Sequence, residues 1–192
     1  ESVDLDFKHD YNVEQGFPIL KTAGNTPDIE SFLFVIPGGV LASMYEQWNE
    51  RLLEQNPRTF LQFTGKVNKG IRNTILNEPE KFFSYNNGIS AVAEEVVLDS
   101  DLKNLEAVRN FQIVNGGQTT ASIYNAMVQA RKTKKSINLD NISVMVKLSV
   151  IKDKDRAEEI IPKISEYSNT QNKVNPSAFS VRHIFHKTIE KY

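Results

Sequence analysis

Residues 111–127 read FQIVNGGQTTASIYNAM, and this segment joins a strand pattern to a helix pattern. The apolar run up to Val114 is typical of a strand, whereas the apolar residues within 119–131 recur at the spacing of one helix face. Residues 115–117, Asn-Gly-Gly, predict a tight turn between the two, because glycines adopt backbone conformations that other residues avoid. We therefore expect a strand that passes directly into a helix.

The segments on either side carry further periodic patterns. ISVMVKLSVI, residues 142–151, alternates apolar and polar side chains and is the clearest strand of the chain. Other short apolar runs predict strands at residues 32–36, from 89 onward, at 105–108 and at 111–114. Apolar spacing predicts helices over residues 40–55, 67–77 and 154–168. The sum is an α/β or α+β fold with a mixed sheet flanked by helices.

The beginning of the chain differs in character from the rest. Residues 1–30 are polar and aperiodic with several glycine and proline turn signals, so we expect a poorly packed lead-in segment there and a domain over residues 31–192. The chain starts with Glu1 and ends in a helical pattern without a stop signal, which favours a fragment of a longer protein.

Positive and negative charges nearly balance: 23 Lys and Arg stand against 24 Asp and Glu, a formal net charge of -1. No overall basic field would capture nucleic acid, so a polyanion site must be local. The absence of Cys excludes disulfides and thiolate metal clusters, and 3 His limit zinc chemistry. No apolar run approaches the roughly 20 residues of a membrane span, so we expect a cytoplasmic protein with no membrane partner.

The Gly-Gly turn is the most informative candidate site. Glycines let the backbone approach a ligand, and the following helix N-terminus offers unpaired N–H groups and a positive dipole end to a phosphate. Gln118 and Thr119 come next and would add polar contacts. The sequence is not a Walker A loop, because no Lys follows the glycines. A tight strand-to-helix turn capped by Thr explains the same residues, and this alternative stays open.

Two other regions carry groups suited to nucleotides. Residues 164–179, ISEYSNTQNKVNPSAF, crowd together amides, which both donate to and accept from a base edge or ribose. Residues 56–75 and 82–90 combine basic and aromatic side chains, which favour phosphates and stacked bases. Their basic residues are Arg58, Lys66, Lys69 and Arg72, and their rings are Phe60, Phe63, Phe82, Phe83 and Tyr85. A polar loop, a solvated helix face and core aromatics remain open explanations.

Neither a metal site nor a catalytic residue is assigned. His183 and His186 lie three residues apart on the last predicted helix, which is more typical of packed or solvated histidines than of metal ligands. The carboxylates nearest to the marked segments are Glu94, Glu95, Asp99 and Glu166.

Together these segments resemble, in order and spacing, the AIPR family of bacterial abortive phage infection proteins. The resemblance spans roughly residues 32–179 and rests most on Asn86-Asn87-Gly88, on residues 115–119 (NGGQT) and on residues 169–172 (NTQN). A more distant similarity to DGQHR-type proteins and to the ParB and sulfiredoxin fold implies a C-terminal half ordered strand, turn, helix, strand, helix. In that fold basic residues after the glycines grip phosphate, whereas this chain has Thr119 and Thr120 there.

The resemblance leads us to expect a phage-defence domain that binds a nucleotide or nucleic acid in one polar cleft. Gly116 and Gly117 would admit a phosphate, Arg58 would neutralise it, and the other residues would bond phosphate, sugar or base. The full set is Arg58, Asn86, Asn87, Gly88, Asn115, Gly116, Gly117, Gln118, Thr119, Asn169, Gln171 and Asn172.

Two other functions remain open at this point. The first is a nuclease or nucleotide hydrolase that uses Mg²⁺, which would need carboxylates converging on the phosphates. The second is an interaction module that senses a phage component. No cofactor is evident beyond a nucleotide.

Overall fold

The computed structural model describes residues 2–53, 66–134 and 136–170. Within these ranges the strands are β1 Leu5–Asp6, β2 Phe17–Pro18, β3 Leu20–Lys21, β4 Ile29–Pro37, β5 Ile89–Ala93, β6 Glu95–Leu98, β7 Asn104–Arg109, β8 Gln112–Asn115 and β9 Ser143–Ile151. The helices are α1 Gly38–Trp48, α2 Lys66–Asn77, α3 Phe82–Tyr85, α4 Gly117–Thr133 and α5 Ala157–Thr170. Short 3₁₀ helices lie at Asn49–Leu52, Pro79–Lys81, Leu139–Asn141 and Lys154–Arg156.

The larger sheet is mixed and has the order β3-β4-β9-β5-β8. Its central strand β9 pairs with β4 in antiparallel register from Ser143 to Ile151 and with β5 in parallel register. The alternation read from the sequence sets which face is buried: Val144, Val146 and Leu148 point into the core. An α+β fold with a mixed sheet and flanking helices is therefore confirmed.

The smaller sheet corrects the prediction of a poorly packed lead-in. Strand β7 pairs with β6 on one edge and with β1 and β2 on the other. Leu5 and Phe7 are fully buried, and the Phe7 ring lies 5.0 Å from the Phe17 ring and 6.4 Å from the Phe34 ring. Val3, Leu5 and Phe7 have the two-residue spacing of a strand, which the surrounding polar residues obscured. The segment contributes to the core, and its boundary at residue 30 stays a prediction.

The helices agree with the sequence patterns apart from one end. Predicted helices over residues 67–77, 119–131 and 154–168 are confirmed as α2, α4 and α5. The helix predicted to reach residue 55 ends at Trp48, because Asn49 takes a positive φ of 52° and stops the hydrogen-bond ladder. None of the helices in the described ranges combines the length and hydropathy that a membrane span requires.

Glu30 joins three strands of the larger sheet through its carboxylate. It lies on β4 and bonds Lys21 of β3 and, at 3.2 Å, Lys152 after β9. The hydrogen bond from Lys21, followed by that from Lys152, holds the pKa of Glu30 below its usual 4.5. The ionised carboxylate of Glu30 therefore stabilises the fold at pH values above the ordinary pKa of 4.5. This stabilisation is lost as the pH falls through the lowered pKa.

We expect Glu30→Gln to lower the free energy of unfolding at pH 7 by about 0.5–1 kcal/mol, the range of surface ion pairs. The difference from the wild type should shrink between about pH 5 and pH 3. Urea unfolding followed by circular dichroism at several pH values measures it. Glu14→Gln, at an exposed glutamate, serves as the control and should give the wild-type profile; the same profile in Glu30→Gln would contradict the assignment.

Candidate functional site

Three separate segments of the chain meet around one cavity of about 430 Å³. We call this cavity the amide cleft. Its walls come from these three segments, which are the turn before β5, the turn between β8 and α4, and the end of α5, and from Ile71 on α2. They are formed by Ile71, Tyr85, Asn86, Asn87, Gly88, Asn115, Gly116, Gly117, Gln118, Thr119 and Asn169. Nine of the predicted site residues are thus brought together; Arg58, Gln171 and Asn172 lie outside the described residues.

The turn that contains Gly88 and the turn that contains Gly116 are in close backbone contact. Gly116 has a φ of +98°, and a Cβ built on it would lie 3.0 Å from the Gly88 carbonyl oxygen and 2.5 Å from Ile89 Cγ2. Gly88 has a φ of +73°, and its Cβ would lie 2.2 Å from the carbonyl oxygen of Met145 on β9. Both positions require glycine for conformation and for space. This close approach brings the two loops into one wall.

A side-chain hydrogen bond also links the two turns. Asn86 Nδ2 donates to Thr119 Oγ1 at 3.1 Å, and Asn86 Oδ1 accepts from the Gly88 backbone N–H at 2.8 Å. Thr119 is 5% exposed, so its hydroxyl needs a partner inside the protein. Asn86 therefore both closes its own turn and fixes the first turn of α4.

Crossed hydrogen bonds attach the end of α5 to β8. Asn115 Nδ2 donates to the Ser168 carbonyl at 2.6 Å, and Asn169 Nδ2 donates to the Val114 carbonyl at 3.3 Å. Ser165 Oγ also donates to Val114, at 3.4 Å. Within the described residues these bonds use the Nδ2 group of each Asn, which leaves each Oδ1 to accept from a ligand.

Helix α4 begins at the cleft wall. Gly116 is its N-cap, and the first turn contains no acidic residue. The first backbone N–H of the helix with a helical partner belongs to Thr120, which donates to Gly116 at 3.0 Å. The N–H groups of Gly117, Gln118 and Thr119 have no acceptor in the described part of the chain. Such a helix start attracts anions by its dipole and its unpaired donors.

The model of the AIPR protein family matches residues 53–192. The chain belongs to the AIPR family. This membership supports a role in abortive infection, a form of phage defence. No curated protein and no solved structure matches the chain.

All the described residues that line the amide cleft lie within the part of the chain that the AIPR family model matches. Among the described residues that line the cleft, none is Asp, Glu, Lys or Arg. Of the predicted basic cluster, Lys69 and Arg72 are exposed on α2, while nothing is described of Arg58 or of the Lys66 side chain. The cleft of this AIPR domain thus offers dipoles, from amides and backbone N–H groups, rather than charges.

The predicted aromatic group divides between the core and the surface. Phe82 is buried at 1% exposure, whereas Phe83 and Tyr85 are 48% and 63% exposed. Tyr85 lines the cleft. Phe60 and Phe63 lie outside the described residues. The AIPR motif at residues 82–88 therefore gives one ring to the core and one to the cleft.

The carboxylates considered for metal binding are engaged elsewhere. Glu94 bonds Lys154 at 2.8 Å and Asn110 at 2.7 Å, and these hydrogen bonds lower its pKa. Asp99 accepts hydrogen bonds from Lys103 and Asn104 in the β6–β7 turn. Neither these two nor Glu95 and Glu166 line the amide cleft. In the ranges that the structure describes, no group of three or more potential metal ligands is found; His183 and His186 fall outside those ranges.

Sequence reasoning missed two contributors to the site. Ile71 lies within the helix predicted over residues 67–77, and its place in the cleft wall was not predicted. Ser165 is buried and helps to hold α5 on β8. Its spacing of four residues from Asn169 was the available signal, because such residues share a helix face.

The adjacent glycines give a matched pair of variants. Gly116→Ala should lower the free energy of unfolding by about 1–3 kcal/mol, because alanine is strained at positive φ and meets Ile89. Gly117→Ala should stay within about 1 kcal/mol of the wild type, since its Cβ would make only an ordinary contact, 3.6 Å from Leu53 Cδ1. Urea unfolding compares them, and equal losses would contradict the described turn.

Proposed function

We propose that this AIPR domain takes part in phage defence in the bacterial cytoplasm by binding a nucleotide or a nucleic-acid end in the amide cleft. The observation that carries the proposal is the convergence of three sequence-distant segments, around Asn86, Gly116 and Asn169, on one cavity. A volume of about 430 Å³ lies within the usual range of small-molecule sites.

The phosphate is proposed to bind at the start of α4. The N–H groups of Gly117 and Gln118 and the positive end of the helix dipole would stabilise it. Gly117 carries no side chain, and the Gln118 side chain, which is partly exposed, would donate from its amide. Arg58 remains our predicted cation for this phosphate.

The sugar and base are proposed to contact the amides. Asn115 Oδ1 and Asn169 Oδ1 would accept hydrogen bonds, since the Nδ2 group of each is already used within the protein. Asn86 and Asn87 would face the ligand from the opposite turn, with Gln171 and Asn172 as further predicted contacts. A recognition surface made of amides suits hydroxyl and base-edge groups, which both donate and accept.

Binding is tested by isothermal titration calorimetry with ribonucleoside 5′-monophosphates and a 5′-phosphorylated oligonucleotide. Gln118→Ala removes an amide at the proposed phosphate site and should weaken binding about tenfold, as expected for one hydrogen bond to a charged group. Gln129→Ala, which changes an exposed Gln on the same helix, is the control and should bind as the wild type does. No binding by the wild type, or equal loss in both variants, would contradict the proposal.

The same reagents separate the alternative functions. Product formed from the nucleotides or the oligonucleotide with Mg²⁺, and lost in Gln118→Ala, would assign a hydrolase to this cleft. A domain that binds none of these ligands at low salt would instead favour an interaction module.

A further inference from the structure

A second cavity lies beside the amide cleft. It has a volume of about 310 Å³ and is lined by Gly70, Ile71, Thr74, Phe82, Tyr85 and Asn86. Three of these residues, Ile71, Tyr85 and Asn86, also line the amide cleft, so the two spaces share a wall. We call the second space the annex.

The annex differs from the cleft in its chemistry. The annex is mainly apolar because Phe82, Ile71 and the ring of Tyr85 line it. The hydroxyl of Thr74 already donates a hydrogen bond to the Gly70 carbonyl at 3.2 Å. No charged side chain of the described residues lines it. A ligand that spans both spaces would meet unpaired N–H groups at one end, amides in the middle and an apolar pocket with a ring at the other.

A nucleoside phosphate has the same order of groups: an anion, a hydroxylated sugar and a flat, largely apolar base. We infer that the annex receives the base, which stacks on the Tyr85 ring while its phosphate lies at the start of α4. This inference rests on the proposed function and adds the position of the base. Tyr85 is 63% exposed, so its ring face is available to a base without repacking the core.

Gly70 forms part of the wall of the annex. A Cβ at this position would meet no atom of the described residues within 4 Å. Glycine within a helix costs about 1 kcal/mol relative to alanine, so helix stability does not account for this residue. Its small size leaves one wall of the annex without a side chain, and a large substitute would occupy the space.

The test combines Gly70→Leu with two probes, adenosine 5′-monophosphate and ribose 5-phosphate, in calorimetric titrations. Gly70→Leu should weaken binding of the nucleotide at least about fivefold, the smallest loss expected for one stacked base, and should leave binding of ribose 5-phosphate within about twofold. Gly70→Ala, with a single methyl group, should retain nucleotide binding. Equal nucleotide affinity in Gly70→Leu and the wild type would overturn the inference.

Tyr85 gives a second, independent pair of variants. Tyr85→Ala should reproduce the selective loss of nucleotide affinity, whereas Tyr85→Phe keeps the ring and should bind within about twofold of the wild type. Equal affinity in Tyr85→Ala and the wild type would also overturn the inference. Circular dichroism confirms that each variant is folded.

The outcomes distinguish this inference from the proposed function. If the wild type binds neither probe, the proposed function itself fails. If it binds the nucleotide and Gly70→Leu binds it equally well, only the placement of the base fails. A 5′-phosphorylated oligonucleotide titrated in parallel identifies the source: tighter binding than the mononucleotide supports a strand end, and weaker binding supports a free nucleotide, with the same loss in Gly70→Leu expected in either case.

Discussion

The contact between the backbones of Gly88 and Gly116 is the constraint on which the site depends. No side chain fits between them, and Gly88 is pressed in turn against the Met145 carbonyl of β9. The Asn86-Asn87-Gly88 turn and the Gly-Gly turn are therefore held on the central strand of the larger sheet. Both glycines have positive φ, a conformation that other residues avoid. The backbone contact that shapes the cleft therefore also requires glycine at these two positions.

The remaining wall is fixed by hydrogen bonds rather than by close backbone contact. Asn115 and Asn169 each donate to the carbonyl of the other element, so the end of β8 and the end of α5 hold one another. These amides have a structural role through Nδ2, which leaves each Oδ1 able to accept a hydrogen bond. The described cleft is therefore lined by uncharged polar and apolar groups whose positions are fixed by backbone contacts and hydrogen bonds.

Sequence periodicity was sufficient for the main elements, because α4 and the first part of β9 each bury the apolar positions that recur at the period of a helix or a strand. Periodicity did not predict β1 and β2, because each strand is only two residues long and is defined by its pairing with β7. For the site, the motifs around Gly88, Gly116 and Asn169 could be recognised, since glycine and amide clusters are conspicuous. Their convergence, and the annex beside Gly70, depend on tertiary packing that no local pattern encodes.

The three segments around Asn86, Gly116 and Asn169 are proposed to form one binding site. Amide proton–nitrogen correlation spectra of the isotope-labelled chain, titrated with adenosine 5′-monophosphate, test whether they do. We predict that the backbone signals of Gly117 and Gln118 and the side-chain amide signals of Asn86, Asn115 and Asn169 shift together and saturate at one Kd. Shifts confined to other surfaces, or different saturation points for the three segments, would contradict the account.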